Sequence, residues 1–397
     1  MCKNYSVMMQ RPLAILLFLL SFLPSGIQAQ PLSPTATASV ITCGPGNDFY
    51  TTFGHSAIRI TDTAGGIDWV YNYGTFDFNT PHFYWKFTRG HLDYRLDREP
   101  FLDFMMTYQY ERRAVWEQRL NLTPQEVNNL YVALEWNYQP ENRYYRYDIL
   151  RDNCATRVRD MVEASLAHRD LNTSWSREGE YSYRTMLRSC LRDTLEWWHL
   201  GISIILGHPA DHLCSTSESM FLPKMMQYHY ANAKIVNKKE RRVEPLVEGS
   251  RQLLPDIRPP LRRSFPPMVV FLLVFAVVAV LSFCESRFHF PPLAFHIIDR
   301  VLFLFAGIAG LFLLFMWFGT DHWCTGFNLN ILWASPLLIL IAIRLERSPR
   351  WALWLQEACF AIAIGYVILS FGGMSLAIIP IIATLALRIA FNLLKKA

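Results

Sequence analysis

The sequence predicts an α+β exported domain followed by an all-α transmembrane unit of about five spans. Three observations carry this prediction: an export signal at the N-terminus, an abrupt rise in apolar content near residue 265, and mixed strand and helix patterns before that point. Apolar residues make up 52% of the 397 residues and charged residues only 18%, which excludes a mainly disordered chain. The formal charge of +5 is spread without a dense basic run or a nucleic-acid-binding motif, so no nucleic-acid partner is expected.

The first element, over residues 1–29, has the features of a signal peptide. Lys3 and Arg11 precede an apolar run over residues 12–23, and Ala29 places a small residue at the expected cleavage point. The run is too short to cross a bilayer comfortably, and an uncleaved anchor stays open as the alternative. In either case the chain that follows is exported.

The rest of the chain divides into three parts by composition. Residues 30–245 mix charged, aromatic and apolar residues as a globular domain does, and we expect the catalytic residues to lie in this domain. Residues 246–267 are rich in proline and arginine, which predicts a linker. Residues 268–397 are predicted to form the transmembrane domain.

Five apolar runs predict five membrane spans, with four as the fallback because two of the runs are short. With the first domain outside, an odd number of spans places Arg344, Arg347 and Arg350 in the cytoplasm, as the positive-inside rule requires. The loop Gly319–Asn330 then faces outward, on the side of the exported domain. The five runs are 268–283, 297–318, 331–343, 351–371 and 374–394.

A β-hairpin is predicted within residues 56–73. Two runs of strand-forming residues flank a turn that contains Gly65 and Gly66. In this register residue 57 lies opposite residue 72, so Asn72 is diagonal to His55 on one face of the hairpin. This arrangement indicates that His55 could act as an imidazole base and Asn72 as the polar group that orients it.

A helix is predicted to begin close to Cys154. Asp152 or Asn153 is a good N-cap, and apolar residues recur at helical spacing after it, so Cys154 falls in the first turn. Free N–H groups and the positive end of the helix dipole lower the pKa of a thiol at this position and favour an oxyanion. A lone cysteine is more often structural, but the presence of both the His55 hairpin and this helix start favours catalysis.

The intervening residues are predicted to be scaffold. Thr123, Pro124 and Glu126 form the signature of a capped helix start. The many aromatic residues between Tyr71 and Trp116 favour a sheet core, with an acyl-binding groove or a membrane interface as the alternatives.

The other cysteines and histidines suggest neither a disulfide framework nor a metal site. A single disulfide between Cys190 and Cys214 is the first guess for the exported cysteines, and it leaves Cys154 free to react. Pro209 breaks the helix that would align His208 and His212 for zinc, so no metal and no cofactor are expected.

The outward loop carries several hydrogen-bonding side chains at the level of the membrane surface, among them His322, Asn328 and Asn330. Polar residues at helix ends are often only hydrogen-bonded to water. This loop is nevertheless the part of the membrane unit that reaches an exported active site, so substrate contact is an equally good hypothesis.

Four segments resemble the motifs of the Lnb-type lipoprotein N-acyltransferases, and the resemblance extends over nearly the whole mature chain. The exported domain of that family is similar to permuted papain-like folds of the lecithin:retinol acyltransferase kind, in which the histidine strand precedes the cysteine helix. The segments are Phe53–Arg59, Tyr71–Phe78, Asp152–Asp160 and Met220–Pro223.

The resemblance implies an acyltransferase with Cys154 as nucleophile and His55 as base. Its donor would be a membrane phospholipid and its acceptor the α-amino group of a diacylglyceryl-cysteine lipoprotein, at the periplasmic face of the bacterial inner membrane. Asn72, Asp68 or neither would orient the histidine. A membrane-anchored cysteine amidase or peptidase acting on the cell wall, or a non-catalytic lipoprotein-binding or sorting factor, are the alternatives. The substrate-binding candidates are Arg59, His322, Asn328 and Asn330.

Overall fold

The computed structural model describes most of the chain from residue 31 onward. The predicted signal peptide at residues 1–29 lies outside the described residues. From Ser33 on, the described residues form one contact unit that includes both the sheet domain and the apolar helices. The described ranges are 31–166, 169–173, 176–191, 195–237, 242–259, 264–288, 292–369 and 374–395.

The exported part is built on a seven-stranded antiparallel sheet, with a smaller three-stranded sheet beside it. The strands are β1 (Thr37–Cys43), β2 (His55–Asp62), β3 (Ile67–Thr75), β4 (Asp93–Pro100), β5 (Val115–Leu120), β6 (Tyr144–Arg146), β7 (Arg169–Asn172), β8 (Lys234–Asn237), β9 (Arg242–Pro245) and β10 (Val247–Leu254). The strand orders are β10-β5-β1-β2-β3-β4-β6 and β7-β8-β9.

Eight α-helices belong to the described exported part. The helix that begins at Pro124 has the predicted capping box, in which the Thr123 side chain accepts from the Glu126 N–H and the Glu126 carboxylate accepts from the Thr123 N–H. The helices are α1 (Phe83–Arg89), α2 (Phe101–Tyr110), α3 (Pro124–Tyr138), α4 (Cys154–Ser165), α5 (Tyr183–Leu191), α6 (Glu196–Ile205), α7 (Thr216–Ser219) and α8 (Pro223–Asn232).

The predicted hairpin is β2–β3. Ile58 lies opposite Tyr71, which is the register that puts residue 57 opposite residue 72. The Asp62 carboxylate accepts from the N–H groups of Ala64 and Gly65, and so fixes the turn between the strands. Helix α4 packs against both strands of this hairpin. The histidine strand therefore precedes the cysteine helix in the chain and lies beside it.

The exported part ends later than its composition suggests. Strand β10 (Val247–Leu254) pairs with β5 at one end of the large sheet, although its residues belong to the predicted linker 246–267. This strand is mostly exposed and polar, as an edge strand often is, and composition alone does not separate such a strand from a linker.

Four described helices are long and apolar enough to span a membrane, not five. The third predicted span contains only the short helix α11 (Leu337–Ile343), preceded by a 3-10 turn over Leu329–Leu332. The spanning helices are α9 (Pro267–Arg287), α10 (Pro292–Phe318), α12 (Arg350–Leu369) and α13 (Ile378–Lys395).

The short segment runs antiparallel to α10. Gly310 lies against the Ala334 carbonyl and Gly307 against Ile339, where any larger side chain would overlap these neighbours. Further along, His296 near the start of α10 lies 3.3 Å from the Glu346 carboxylate. Residues 329–346 therefore carry the chain from the outer end of α10 back to its beginning, even though their helix is short.

Candidate active site

Cys154 is the first residue of α4 and is buried. Of the two predicted N-caps, Asn153 is the one that forms: its side-chain oxygen accepts from the N–H groups of Ala155 at 2.8 Å and Thr156 at 3.0 Å. The Asn153 side-chain nitrogen donates to the Phe221 carbonyl at 2.9 Å, which ties the cap to the Met220–Pro223 segment. The cap occupies two of the N–H groups of the first turn, and the Cys154 N–H is not one of them.

The Cys154 thiol is hydrogen-bonded to the imidazole of His55, which stands at the start of β2. Burial raises the pKa of the thiol, but the charge and hydrogen bond of His55 and the N–H groups of Ser56 and Ala155 outweigh burial and hold the pKa below its ordinary value. For His55, burial lowers the pKa, but the Cys154 thiolate and the bond to Asn72 raise it above its ordinary value. Both shifts favour a thiolate–imidazolium pair.

Asn72, not Asp68, is the partner of His55. The His55 Nε2 lies 3.1 Å from the Asn72 side-chain oxygen, so Nδ1 is the ring nitrogen left for the thiol. The Asn72 nitrogen in turn donates to the Glu99 carboxylate on β4 at 2.7 Å. Because Glu99 accepts from one end of the amide, it fixes the oxygen end toward the imidazole. Glu99 was not identified from the sequence, since only the pairing of β3 with β4 brings it to Asn72.

Tyr147 is a second group at the nucleophile. Its hydroxyl is hydrogen-bonded to Cys154, and its ring stacks on Tyr94 with ring centroids 4.3 Å apart. Gly74 has a φ of +89°, and a methyl group there would lie 3.2 Å from the Tyr147 ring and 3.5 Å from the Cys154 Cβ. Glycine at this position thus permits both the strand end and the close approach of the two side chains.

A cavity of about 430 Å³ opens onto Cys154 and His55. This volume lies within the range of small-molecule binding sites. Most of its wall is apolar and aromatic, and the Leu222–Pro223 part of the last predicted motif contributes to it. Aromatic lining residues include Phe76, Phe78, Phe87 and Tyr94.

Arg113 places a positive charge in the same cavity and was missed in the sequence. Its guanidinium donates to the Gly44 carbonyl at 2.9 Å and to Glu111 at 2.7 Å, while its buried Nη2 has no hydrogen-bond partner in the part of the chain that the structure describes. A buried donor without a partner is costly, so an anionic ligand at this point would be stabilised. From the sequence alone, Arg113 cannot be distinguished from an ordinary surface charge, because only tertiary contacts bring it to the cavity.

Arg59 lies outside this cavity. Its guanidinium forms a bidentate pair with Asp68 at 2.7 and 2.9 Å and a third bond to Glu117 at 2.9 Å. These bonds join β2 to its neighbour β3 and, across β1, to β5, and they use the donors that a substrate would need. The structure therefore places Arg59, and with it Asp68, in the scaffold of the sheet.

The loop Gly319–Asn330 contacts the exported domain directly. The His322 Nε2 lies 3.2 Å from the Phe87 carbonyl on α1, and the Gly207 N–H donates to the Cys324 carbonyl at 2.8 Å. Asn328 and Asn330 are buried, and their amides donate to the carbonyl groups that end α6, at distances from 2.8 to 3.2 Å. The two asparagines thus cap α6 and do not line the cavity, whereas His322 contacts the backbone of Phe87, which does line it.

The predicted disulfide cysteines and the segment 208–212 lie outside the cavity around Cys154. Cys190 and Cys214 are free thiols, which corrects the predicted disulfide. Asp211, from the segment weighed for zinc, pairs with Arg184 at 2.6 Å and accepts from the Tyr366 hydroxyl at 2.8 Å. These bonds anchor the end of α12 to the exported domain.

Comparison with known proteins gives two matches, one in each part of the chain. The Lnb N-terminal periplasmic domain matches residues 28–189, and the Lnb transmembrane domain matches residues 260–397. No curated protein and no solved structure matches the chain. Together the two family models cover the part of the sheet domain that carries His55 and Cys154 and the apolar helices, whereas residues 190–259 lie in neither match. The chain therefore belongs to the Lnb-type family, with a periplasmic N-terminal domain and a C-terminal transmembrane region.

Proposed function

We propose that this protein is a lipoprotein N-acyltransferase that works through an acyl-thioester on Cys154. The observation that carries the proposal is the buried Cys154–His55 pair in an aromatic cavity next to the outer end of the spanning helices. A cell-wall amidase would need only a tether, whereas here the loop Gly319–Asn330 is hydrogen-bonded to the exported domain. Membership of the Lnb-type family supports a lipoprotein-processing role.

The first half-reaction transfers the acyl group to the enzyme. The His55 Nδ1 takes the thiol proton, and the Cys154 thiolate attacks the ester carbonyl of a phospholipid. The carbon–sulfur bond forms, the carbon–oxygen bond breaks, and His55 returns the proton to the departing lysophospholipid oxygen. The backbone N–H of Cys154, which the Asn153 cap leaves out, is the donor we assign to the oxyanion.

The second half-reaction passes the acyl group to the lipoprotein. The neutral α-amine of the diacylglyceryl cysteine attacks the thioester, a carbon–nitrogen bond forms, and the thiolate leaves. The amine proton moves through His55 to the sulfur, which restores the starting enzyme. Both substrates are held in the plane of the membrane, so the enzyme gains effective concentration by sitting at that surface.

Two residues beyond the pair have supporting roles. Asn72, held by Glu99, keeps the His55 proton on Nε2 and so leaves Nδ1 free to accept from the thiol. Arg113 is the cation that would receive the phosphodiester of the donor, because its Nη2 is buried without a partner in the described structure. We place the catalytic domain in the periplasm and Arg344 and Arg347 at the cytoplasmic end.

Acceptor acylation in a defined system tests this function. Full-length protein in phospholipid vesicles is given a synthetic diacylated lipopeptide, and mass spectrometry measures the gain of one acyl chain on the α-amine. The Cys154→Ala variant should give no product, whereas Cys214→Ala, which removes another buried thiol, should keep the wild-type rate. Product formation by Cys154→Ala, or no product from the wild-type protein, contradicts the proposal.

A further inference from the structure

Helix α1 (Phe83–Arg89) is unusual because it carries four aromatic residues and none of its residues is buried. The Tyr84 side chain is 79% exposed and Trp85 is 56% exposed. A sheet core, the interpretation that the sequence favoured for these aromatics, would bury them. A soluble surface seldom presents such large apolar groups together, so this patch indicates a non-aqueous neighbour.

The position of α1 identifies that neighbour as the membrane. Trp85 stacks on Phe315 of the spanning helix α10 with ring centroids 5.6 Å apart. The Arg89 guanidinium donates to the Gly319 carbonyl at 3.1 Å, immediately after α10 ends. Helix α1 therefore lies at the outer end of an apolar spanning helix. Tryptophan and tyrosine concentrate at this level of membrane proteins, where their rings lie among lipid headgroups.

The same aromatic surface continues to the nucleophile. From α1, Phe83 contacts Phe76 with ring centroids 5.8 Å apart, and Phe76 contacts Tyr94 at 5.3 Å. Tyr94 stacks on Tyr147, whose hydroxyl is bonded to the Cys154 thiol. Each of these contacts joins one ring to the next without an intervening charged group. A continuous row of rings therefore runs from the membrane surface to the thiol.

We propose that α1 and this aromatic path form the portal by which one acyl chain of a phospholipid in the periplasmic leaflet leaves the bilayer and reaches Cys154. The inference rests on the proposed function, and it names the route and the part of the donor that the route takes. An acyl chain fits because most of the lining is apolar, and the exposed rings of α1 replace the lipid contacts that the chain loses. Lys86 and Arg89 flank the rings and can reach the anionic headgroup layer.

Direct contact is tested with a phospholipid that carries a photoreactive diazirine near the end of one acyl chain. The inactive Cys154→Ala protein, full length and in vesicles that contain this lipid, is irradiated and digested, and labelled peptides are identified by mass spectrometry. Labelling within residues 76–89 is expected. Labelling confined to the spanning helices overturns the portal, and this readout is independent of any catalysis.

The rate of thioester formation gives the second test. The Tyr84→Asp/Trp85→Asp variant should form the Cys154 thioester from vesicle phospholipid about tenfold or more slowly, because two interfacial aromatic anchors are replaced by charges. Its reaction with water-soluble p-nitrophenyl butyrate should stay unchanged, which also reports correct folding. Trp136→Asp, at a residue 67% exposed on α3, is the matched control and should react normally with both donors.

The outcomes separate the portal from the function. Equal rates of the double variant and wild type with vesicle lipid, or an equal loss with both donors, overturn the portal while the thioester chemistry stands. A wild-type protein that forms no thioester with either donor contradicts the proposed function itself.

Discussion

Replacing His55 with alanine should raise the pKa of the Cys154 thiol by about 3 units or more. The magnitude follows from a cysteine in the same sheet: burial raises the pKa of Cys43 to about 12. Cys154 is also buried, yet its pKa is lowered, chiefly because the charge and hydrogen bond of His55 outweigh burial. Without the imidazole, Cys154 should resemble Cys43. At Cys43 the rise from an ordinary 9.0 to about 12 corresponds to roughly 4 kcal/mol and to about a thousandfold less thiolate at neutral pH, and the thiol of Cys154, whose pKa starts below its ordinary value, should change by at least as much.

Alkylation by iodoacetamide, followed across pH and resolved by peptide, measures this shift. The tryptic peptide Asp152–Arg157 contains Cys154 as its only cysteine. In the wild-type protein its alkylation should rise with pH through the lowered pKa, and in His55→Ala the same rise should occur at much higher pH. Cys214, whose pKa burial raises to about 12, is the internal control and should react alike in both proteins.

Superimposable pH profiles for Cys154 in the two proteins would refute this reasoning. They would mean that the helix N-terminus, not the imidazole, sets the acidity of the thiol. A profile that shifts equally for Cys154 and Cys214 would point to a general loss of structure instead of a lost ion pair, and would refute it as well.

Two further predictions concern groups that support the site and the membrane unit. Glu99→Leu should lower the acylation rate roughly 5- to 150-fold, the equivalent of about 1–3 kcal/mol for an unmade buried hydrogen bond, because the Asn72 amide is free to turn and reverse the histidine tautomer. Glu99→Gln keeps an acceptor and should restore most of the rate; equal loss in both variants would contradict the positioning role. Asp299→Ala should lower the free energy of unfolding in detergent by about 3–5 kcal/mol, because it leaves the buried Arg388 without its bidentate partner. Glu346→Gln, at an exposed ion pair, should change the melting temperature little, and equal shifts for the two would count against this account.

Local patterns predicted the hairpin register and the helix cap before Cys154 correctly. The hairpin register follows from alternation and turn residues, and it brings His55 to Asn72 as expected. The cap before Cys154 follows from the preference of asparagine for that position. These features depend on residues close in sequence, which is why they could be read without the fold.

Features that depend on distant contacts could not be predicted. Glu99 reaches Asn72 only through strand pairing, and Arg113 reaches the cavity only because β5 follows it into the sheet. The amide groups of Asn328 and Asn330 could bind a substrate, but they donate their hydrogen bonds to the carbonyl groups that end α6. Hydropathy counted five spans because it measures apolar content, whereas the third run forms only a short helix beside α10.

The aromatic residues show a third case, in which one composition serves two environments. Tyr71 and Tyr73 of β3 are buried in the sheet domain, as the sequence favoured. Tyr84 and Trp85, a few residues later, are exposed beside a spanning helix. Residue type alone does not distinguish a protein core from a membrane surface, because large aromatic side chains are favourable in both environments.

The central claim is a covalent acyl group on Cys154, and trapping that group tests it most directly. Full-length protein is incubated with phospholipid vesicles in the absence of any acceptor, quenched in acid and digested. The account predicts that the Asp152–Arg157 peptide gains the mass of one fatty acyl chain, that neutral hydroxylamine removes it, and that added lipopeptide discharges it. Acceptor acylation without this adduct, or an adduct on another residue, would contradict the account.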